Sequence, residues 1–299
     1  MAYRNIFIAN ETKMSLRSNQ LIVDNGETYS FPIEDIRSIV IDNCYATFSG
    51  KLLSKLADEG VCVIVCDEKH MPSSTLLPVG TYCRQNKRIQ LQFAQSVPKL
   101  KRIWQSIVIS KIQNQAKCLE LNSIEQAAQL MSISKSVLSG DTTNREGYAA
   151  RVYFKSLFGE YFTRDAENNI NAGLNYGYAI LRSFISKTLI ACGLESSCGI
   201  HHKSQLNQFN LADDIIEPYR PIIDNYVYQN QKEWGDNFYT PHKAELQLLL
   251  NSATSIDGKR HSVANAIELT VQSIIYSFEH EETNLKLPQL LDTAYFDYD

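Results

Sequence analysis

The first 66 residues alternate short apolar runs with turn-forming residues. β-branched or aromatic side chains dominate residues 5–9, 20–23 and 37–41, and a turn signal, Asp-Asn-Gly at 24–26, follows the second run. Runs of this length bounded by turn residues are typical of β-strands. The pattern therefore predicts that the chain begins with a β-rich region.

The spacing of apolar residues then changes twice. Leu52, Leu53 and Leu56 lie at helical spacing in a segment that Gly60 ends, and residues 61–66 return to a continuous apolar run. A run of six such residues after a glycine favours a buried strand. One short helix is therefore predicted inside the β-rich region.

Residues 67–82 are rich in turn-forming residues and are predicted to link two domains. Beyond them, steps of three and four separate the apolar residues, a helical period that continues through Leu250 and Ser277. The predicted class is α+β with two domains. A small, β-rich and β-sandwich-like N-terminal domain covers residues 1–78, and a larger all-α domain covers residues 79–299.

Composition is that of an ordinary globular protein, with 44% hydrophobic and 21% charged residues. The net charge of -4 does not indicate nucleic-acid binding by itself. Any binding to DNA would need basic groups gathered on one face or supplied by a partner. With no signal peptide and no long apolar run, we expect a cytoplasmic protein without a membrane span. Its seven cysteines are expected to be small buried thiols, with Cys62 and Cys66 on one strand face.

An acidic residue opens the helical pattern of residues 144–158. Glu146 shares a predicted face with Ala149, Tyr153 and Leu157, so that a carboxylate begins an otherwise apolar stripe. Backbone N–H groups at the helix start could satisfy it. Alternatively it is paired or bound to a metal, since an isolated buried carboxylate is costly.

A second acidic group lies in residues 211–224. Asp213, Glu217, Arg220 and Asp224 follow at steps of four, three and four, opposite an apolar face. They could form a solvated stripe with an internal arginine pair. The prolines at 218 and 221 would break the helix near Glu217, however, which favours a specific geometry there.

The third element is a loop, Gly-Ile-His-His-Lys at residues 199–203. A loop histidine can simply be solvated. Together with the two carboxylates, an imidazole could instead hold Mg²⁺ or Mn²⁺ and leave positions for water and phosphate oxygens. The imidazole favours Mn²⁺, the softer of the two. Motifs for zinc, nucleotide binding or a serine nucleophile are absent from the sequence.

Four blocks in this order resemble the CRISPR-associated integrases, the catalytic subunits of spacer acquisition. They are REGxAARxYF from Arg145, NAxLNYGYAIL from Asn171, GxxH ending at His202, and LAxDxxEPYRP from Leu211. The third and fourth look most like the form found in type II systems. The β-rich start and helical body also match, so the resemblance spans the whole chain and makes the second domain the catalytic one.

The resemblance implies that Glu146, His202 and Glu217 bind a divalent metal, Mg²⁺ or Mn²⁺. His202 rather than His201 is the matching histidine, because the motif places it three residues after the glycine. Asp214 matches a further acid of the catalytic site, which we expect to orient a ligand.

The implied reaction is a transesterification. The 3′-hydroxyl of a short foreign DNA fragment attacks a phosphate at the edge of a CRISPR repeat; with water instead, the site would act as an endonuclease. Implied partners are double-stranded DNA, a second copy in a homodimer, and a small subunit bridging two dimers. Other CRISPR-associated proteins are further candidate partners.

Nearby basic candidates for phosphate contacts are Arg145, Arg151, Lys203 and Arg220, although Arg220 could equally pair with Glu217 or Asp224. Two other functions stay open from the sequence: a DNA-end-binding scaffold with a structural acidic cluster, and a structure-specific nuclease that does not integrate.

Overall fold

The N-terminal region is built from two four-stranded sheets and one helix. The structure, a computed structural model, describes residues 2–77, 85–235 and 238–296. The sheets have the orders β1-β5-β7-β8 and β4-β3-β2-β6. Their strands and the helix between β6 and β7 are β1 (Arg4–Ile8), β2 (Lys13–Arg17), β3 (Gln20–Asp24), β4 (Thr28–Pro32), β5 (Ile36–Ile41), β6 (Thr47–Phe48), α1 (Gly50–Asp58), β7 (Cys62–Cys66) and β8 (Pro72–Thr75).

Strands β1, β5 and β7 are parallel, and residues of both sheets and of α1 pack into one apolar core. The two sheets with a shared core confirm the sandwich-like expectation. All six residues of β5 are buried. Its Ile39 and Ile41 face this N-terminal core, whereas Val40 belongs to the core of the helical region. One sheet therefore serves two cores, because successive side chains of a strand point to opposite faces.

The same alternation places Cys62 and Cys66 of β7 in the core of the helical region. Burial raises the pKa of both thiols to about 12, so neither is reactive near neutral pH. Cys118 is buried too, which confirms the expectation for these three. Cys44, however, is exposed, and Cys192 and Cys198 are half-buried. Cys83 lies outside the described residues.

The helical region is organised around α3, whose Ile103, Trp104, Ile107 and Ile112 are fully buried. In the described ranges no helix is both long and apolar enough to cross a membrane. The helices of this region are α2 (Gln85–Phe93), α3 (Val97–Leu121), α4 (Ala127–Ser134), α5 (Arg145–Phe158), α6 (Asn169–Ala191), α7 (Asn210–Ile216), α8 (Arg220–Asn230), α9 (Thr240–Leu248) and α10 (Val263–Glu279).

A third sheet interrupts the helices, so the expected all-α composition of the second domain needs correction. It consists of β9 (Ser252–Ile256), β10 (Lys259–Ser262) and β11 (Gln289–Tyr295) in the order β10-β9-β11. Asp257 and Gly258 connect β9 to β10 with φ of 51° and 74°, the left-handed backbone of a two-residue hairpin. The α+β class and the order of the two regions are confirmed.

The predicted linker, residues 67–82, also needs correction. It contains β8, which pairs with β7 through Ile64 and Thr75 and so extends the N-terminal sheet. Pro72 is tolerated because β8 is the edge strand of that sheet. The predicted boundary after residue 78 falls in residues 78–84, outside the described residues, and stays a prediction.

Polar contacts join the two regions across the shared sheet. Arg37 of β5 donates to the side chains of Asn251, at 3.0 Å, and Ser262, at 3.2 Å. Gln247 of α9 donates to Ser38 Oγ of β5 at 2.8 Å. These buried hydrogen bonds fix the sheet against the helical region, since leaving such groups unpaired costs free energy.

Candidate metal centre

Glu146 lies in the first turn of α5, as predicted, but other residues cap this helix. The carboxylate of Asp141 accepts the backbone N–H groups of Arg145 at 2.8 Å and Glu146 at 2.9 Å. The Asn144 side chain accepts from the N–H of Gly147 at 3.1 Å. Since these residues satisfy the helix start, the Glu146 carboxylate is left for another partner.

That partner is Lys111 of α3, which the sequence analysis did not identify. Its ammonium Nζ lies 2.6 Å from Glu146 Oε1 and 2.5 Å from Glu217 Oε2. The structure thus brings two predicted site residues, about 70 positions apart in the chain, to one cation. A signal for Lys111 existed, since it adjoins Ile112 and follows Val108 by three residues on the buried stripe of α3.

Glu217 lies at the helix break that its two neighbouring prolines predict. Helix α7 ends at Ile216, a short 3₁₀ helix spans Glu217–Tyr219, and α8 begins at Arg220. Asn114 of α3 donates to the carbonyl oxygen of Pro218 at 2.8 Å and thereby holds the break against α3. The break is therefore confirmed and carries Glu217 into the interior.

The interpretation of this segment as a solvated acidic stripe is wrong. Of the stripe's three acids, Glu217 and Asp224 are at least 95% buried, and the side chain of Asp213 is 17% exposed. Arg220 Nε donates to Glu217 Oε1 at 3.0 Å, so the arginine pairs with Glu217 rather than with Asp224. Burial opposes ionisation of Glu217, but Arg220 and Lys111 outweigh it and hold the pKa of the carboxyl at about 2. Glu217 is thus a buried anion at neutral pH.

Asp214 fixes the loop that carries the histidines. Its carboxylate accepts the backbone N–H groups of Ile200 at 2.5 Å and of His201 and His202 at 3.1 Å each. The loop approaches so closely that a Cβ on Gly199 would lie 2.3 Å from the His202 carbonyl oxygen and 2.8 Å from Asp214 Oδ2. A glycine is therefore required at position 199 of the third block.

The two histidines are held differently. His202 Nδ1 lies 2.8 Å from Asp214 Oδ1, and this hydrogen bond raises the pKa of His202. The ring of His201 stacks on the buried Trp104 with centroids 4.2 Å apart. A carboxylate on one ring nitrogen is the usual support of a metal-binding histidine, which leaves Nε2 for the metal. This geometry favours His202 over His201.

Gln92 of α2 is a further support that sequence reasoning missed. Its amide nitrogen donates to the carbonyl oxygens of Glu195 at 2.9 Å and Cys198 at 2.8 Å, while its oxygen accepts the N–H of Glu195 at 2.9 Å. No motif includes Gln92, and its partners lie about a hundred residues away. Only the fold reveals that α2 anchors the segment from Glu195 to Cys198, which precedes the histidine loop.

The structure brings Glu146 and Glu217 to Lys111, and Asp214 to His202. Throughout residues 2–77, 85–235 and 238–296, no three His, Cys, Asp or Glu side chains converge closely enough to form a ready metal site. The assignment of Glu146, His202 and Glu217 as ligands, and of Asp214 to the catalytic site, therefore stays a prediction.

Asp224 belongs to a separate buried network behind the candidate centre. Tyr178 of α6 and Tyr153 of α5 both donate to its carboxylate, the latter at 3.0 Å. Burial raises the pKa of Asp224 to about 6 despite these two hydrogen bonds. Because the folded-state pKa exceeds the unfolded one, this group favours folding below pH 4 and loses that contribution as the pH rises to 6.

The Asp224→Asn variant should therefore gain stability over the wild type as the pH rises. Between pH 4 and 7 we expect the difference in unfolding free energy to shift by about 2 kcal/mol in favour of the variant. Urea unfolding at both pH values measures it, with the exposed Asp165→Asn as the control. If the difference in unfolding free energy between the two proteins does not change with pH, burial does not raise the pKa of Asp224 and this account of the residue is wrong.

The four predicted phosphate contacts occupy different environments. Arg151 and Lys203 are exposed, and Arg145 is half-buried. Arg220 is engaged with Glu217 through its Nε. Arg151 and Lys203 therefore remain the more accessible candidates for DNA, and their role stays a prediction.

Two arginines that the sequence did not single out, Arg164 and Arg182, lie near Arg220. Arg164, Arg182 and Arg220 line a cavity of about 320 Å³, together with Asp213 and Tyr178. The guanidinium of Arg220 lies 4.5 Å above the Tyr178 ring. Two of these three cations already have a carboxylate partner, since Arg220 pairs with Glu217 at 3.0 Å and Arg182 lies 4.0 Å from Asp213.

Comparisons with known proteins agree with this architecture. A CRISPR-associated endonuclease Cas1 of Neisseria meningitidis serogroup C (strain 8013) is 39% identical over 306 aligned residues, covering 100% of both chains. The structure of a casposase bound to integration product covers 95% of this chain and 92% of that one, with a TM-score of 0.76 and 18% identity. The match to a chain of a Cas6-RT-Cas1–Cas2 complex covers 97% of this chain and 36% of that chain, with a TM-score of 0.72 and 17% identity.

The two structures share the fold, whereas the sequence matches define the family. The model of the family described as CRISPR associated protein Cas1 matches residues 6–255, which include all four motif blocks. With that match and the full-length Neisseria relative, this chain belongs to the Cas1 family.

Proposed function

We propose that this protein is a divalent-metal-dependent DNA endonuclease and integrase that inserts short foreign DNA fragments into a CRISPR array. The observation that carries the proposal is the convergence of Glu146 and Glu217 on one cation position. Asp214 orients the imidazole of His202, and the charge of Glu217 contributes to the raised pKa of that imidazole. The Neisseria relative is named an endonuclease, and the casposase was solved with an integration product. Both names support the proposed chemistry.

The donor set fits Mg²⁺ or Mn²⁺. Two carboxylates and one imidazole suit these cations, and the imidazole favours Mn²⁺. Glu217 Oε2 is buried and lies 2.5 Å from Lys111 Nζ. The ammonium neutralises this oxygen in the metal-free protein, and a divalent cation at the same position would neutralise it as well.

The proposed reaction exchanges one phosphodiester for another. The 3′-hydroxyl oxygen of the fragment bonds to phosphorus, the bond from phosphorus to the repeat strand breaks, and the leaving oxygen takes up a proton. A bound divalent cation would polarise the phosphoryl oxygen and stabilise charge on the attacking and leaving oxygens. Asp214 holds the His202 ring and Arg220 holds Glu217, so both candidate ligands keep their orientation when DNA arrives.

The proposed partners are double-stranded DNA, a second copy of the chain and a small adaptation subunit. One structural neighbour was solved in a complex that contains Cas2, which supports the small subunit. Insertion at both ends of a repeat needs two centres at a fixed distance, which supports a homodimer. The cavity lined by Arg164, Arg182 and Arg220 is a candidate for DNA phosphate.

A plasmid assay tests this proposal. The protein and its small partner subunit are incubated in Mn²⁺ with a short duplex and a plasmid that carries the repeat. A matched duplex with 3′-dideoxy ends lacks the nucleophile. We expect strand-joined product from the 3′-hydroxyl duplex alone, and none from either duplex when EDTA replaces Mn²⁺.

The other outcomes separate the competing functions. Nicking of the plasmid with either duplex, without joining, would make the protein a nuclease that does not integrate. DNA binding that ignores Mn²⁺, with no product, would favour the end-binding scaffold and overturn the proposal.

A further inference from the structure

Lys111 occupies the point that both candidate carboxylate ligands face. It reaches them from α3, which contributes no predicted ligand, and its side chain is only 11% exposed. Its Nζ approaches Glu146 Oε1 and Glu217 Oε2 within 2.6 Å. The ammonium therefore bridges side chains from α5 and from the break between α7 and α8.

The Lys111 ammonium reduces the repulsion between the two carboxylates. Two carboxylates this close repel each other, and Glu217 is almost wholly buried. Arg220 neutralises Glu217 through Oε1. Among the described residues, Lys111 is the cation that contacts both carboxylates. Without the ammonium, Glu146 would turn away towards solvent, since its side chain is 22% exposed.

A divalent metal ion needs the same two oxygens. Mg²⁺ binds carboxylate oxygen at about 2.0–2.1 Å, and Mn²⁺ suits the same ligands. The ammonium lies 2.5 Å from one of these oxygens and 2.6 Å from the other. Two cations cannot share this space, because like charges a few ångströms apart repel strongly in a buried site.

We propose that Lys111 is a positioning residue that acts as a built-in, exchangeable cation. It holds Glu146 and Glu217 together in the metal-free protein and leaves when Mg²⁺ or Mn²⁺ binds. This inference rests on the metal site of the proposed function. The flexible four-carbon stem of lysine allows the ammonium to withdraw while α3 stays in place.

Two substitutions at position 111 should change metal affinity in opposite directions. Lys111→Met keeps the apolar stem and removes the competing charge, so the dissociation constant for Mn²⁺ should fall by about tenfold or more. Lys111→Arg keeps the charge and can bind both carboxylates through its fork, so the constant should rise by about tenfold or more. Isothermal titration of the full-length protein with MnCl₂ measures both.

Lys99→Met is the matched control. Lys99 is another buried lysine of α3, and its Nζ donates to the carbonyl oxygen of His280 at 2.6 Å, away from the carboxylates. Its loss should lower the melting temperature without changing Mn²⁺ affinity. Lys111→Met should also melt several degrees lower without metal, but Mn²⁺ should restore its melting temperature.

Equal Mn²⁺ affinities in the wild type and both Lys111 variants would overturn the inference. If Lys111→Met fails to fold without metal, the Lys111→Arg result decides alone. A different result would contradict the proposed function itself. A wild type that binds Mn²⁺ no better than Glu146→Gln would show that the metal is not held here at all.

Discussion

Strand joining by the Glu146→Gln variant is expected to fall by about 10³-fold or more, because a catalytic metal contributes several kcal/mol to the transition state. Glutamine keeps the volume of the side chain but offers a neutral amide to a cation that prefers carboxylate oxygen. Single-turnover rates of joining, measured with saturating duplex and Mn²⁺, test this expectation.

Glu120→Gln is the matched control. Glu120 is an exposed residue of α3 that pairs with Lys117 at 3.2 Å, and its loss should leave joining unchanged. The melting temperature of each variant must accompany the rate, since Glu146→Gln also weakens the contact with Lys111. A folded Glu146→Gln protein that joins strands at the wild-type rate would remove Glu146 from the centre.

The second large effect separates the two adjacent histidines. His202→Ala should lower the joining rate by about 10²-fold or more, whereas His201→Ala should lower it by less than about fivefold. The reason is that Asp214 contacts His202 Nδ1, while the His201 ring packs on Trp104. Losing that stacked pair should instead cost about 1 kcal/mol of stability.

The joining rates should therefore separate the two variants, whereas urea unfolding should show a loss of stability in both, because His202→Ala also removes the hydrogen bond to the buried Asp214. The backbone N–H groups that Asp214 binds persist in both, so the loop keeps its anchors. If His201→Ala proved the inactive variant, the spacing from Gly199 would have misidentified the ligand, and the His202–Asp214 pair would be structural.

Most of the N-terminal region was predictable because its pattern is local. The runs at 5–9, 20–23 and 37–41 correspond to β1, β3 and β5, and residues 61–66 contain β7. The other four strands were missed: β6 has only two residues, β8 lies in the predicted linker, and β2 and β4 contain few β-branched residues, with β4 largely exposed. The pairing of β2 and β4 with β3, rather than their own composition, makes them strands.

The third sheet was missed although part of its signal was present. The Asp257-Gly258 dipeptide between alternating segments is a strong indicator of a two-residue hairpin. The strands on either side are only five and four residues long and lie between helical patterns. Apolar periodicity over a longer window therefore obscured them.

The site was predictable only where a motif carried it. The resemblance pointed to Glu146, His202, Glu217 and Asp214, and the structure places Glu146 with Glu217 and Asp214 with His202. Lys111 could not be assigned to them, because its contacts join residues 35 and 106 positions apart. Pairings at such separation depend on how helices pack, which single-sequence patterns do not specify.

The amide of Gln92 restricts which residues can replace it. Its nitrogen donates two hydrogen bonds and its oxygen accepts one, all with backbone groups of the segment before the histidine loop. Glutamate would bring a second acceptor against two carbonyl oxygens, and lysine would offer no acceptor for the amide of Glu195. In a mutant library under selection for activity, substitutions at position 92 should therefore be lost as strictly as substitutions in the motif blocks, although Gln92 belongs to no motif.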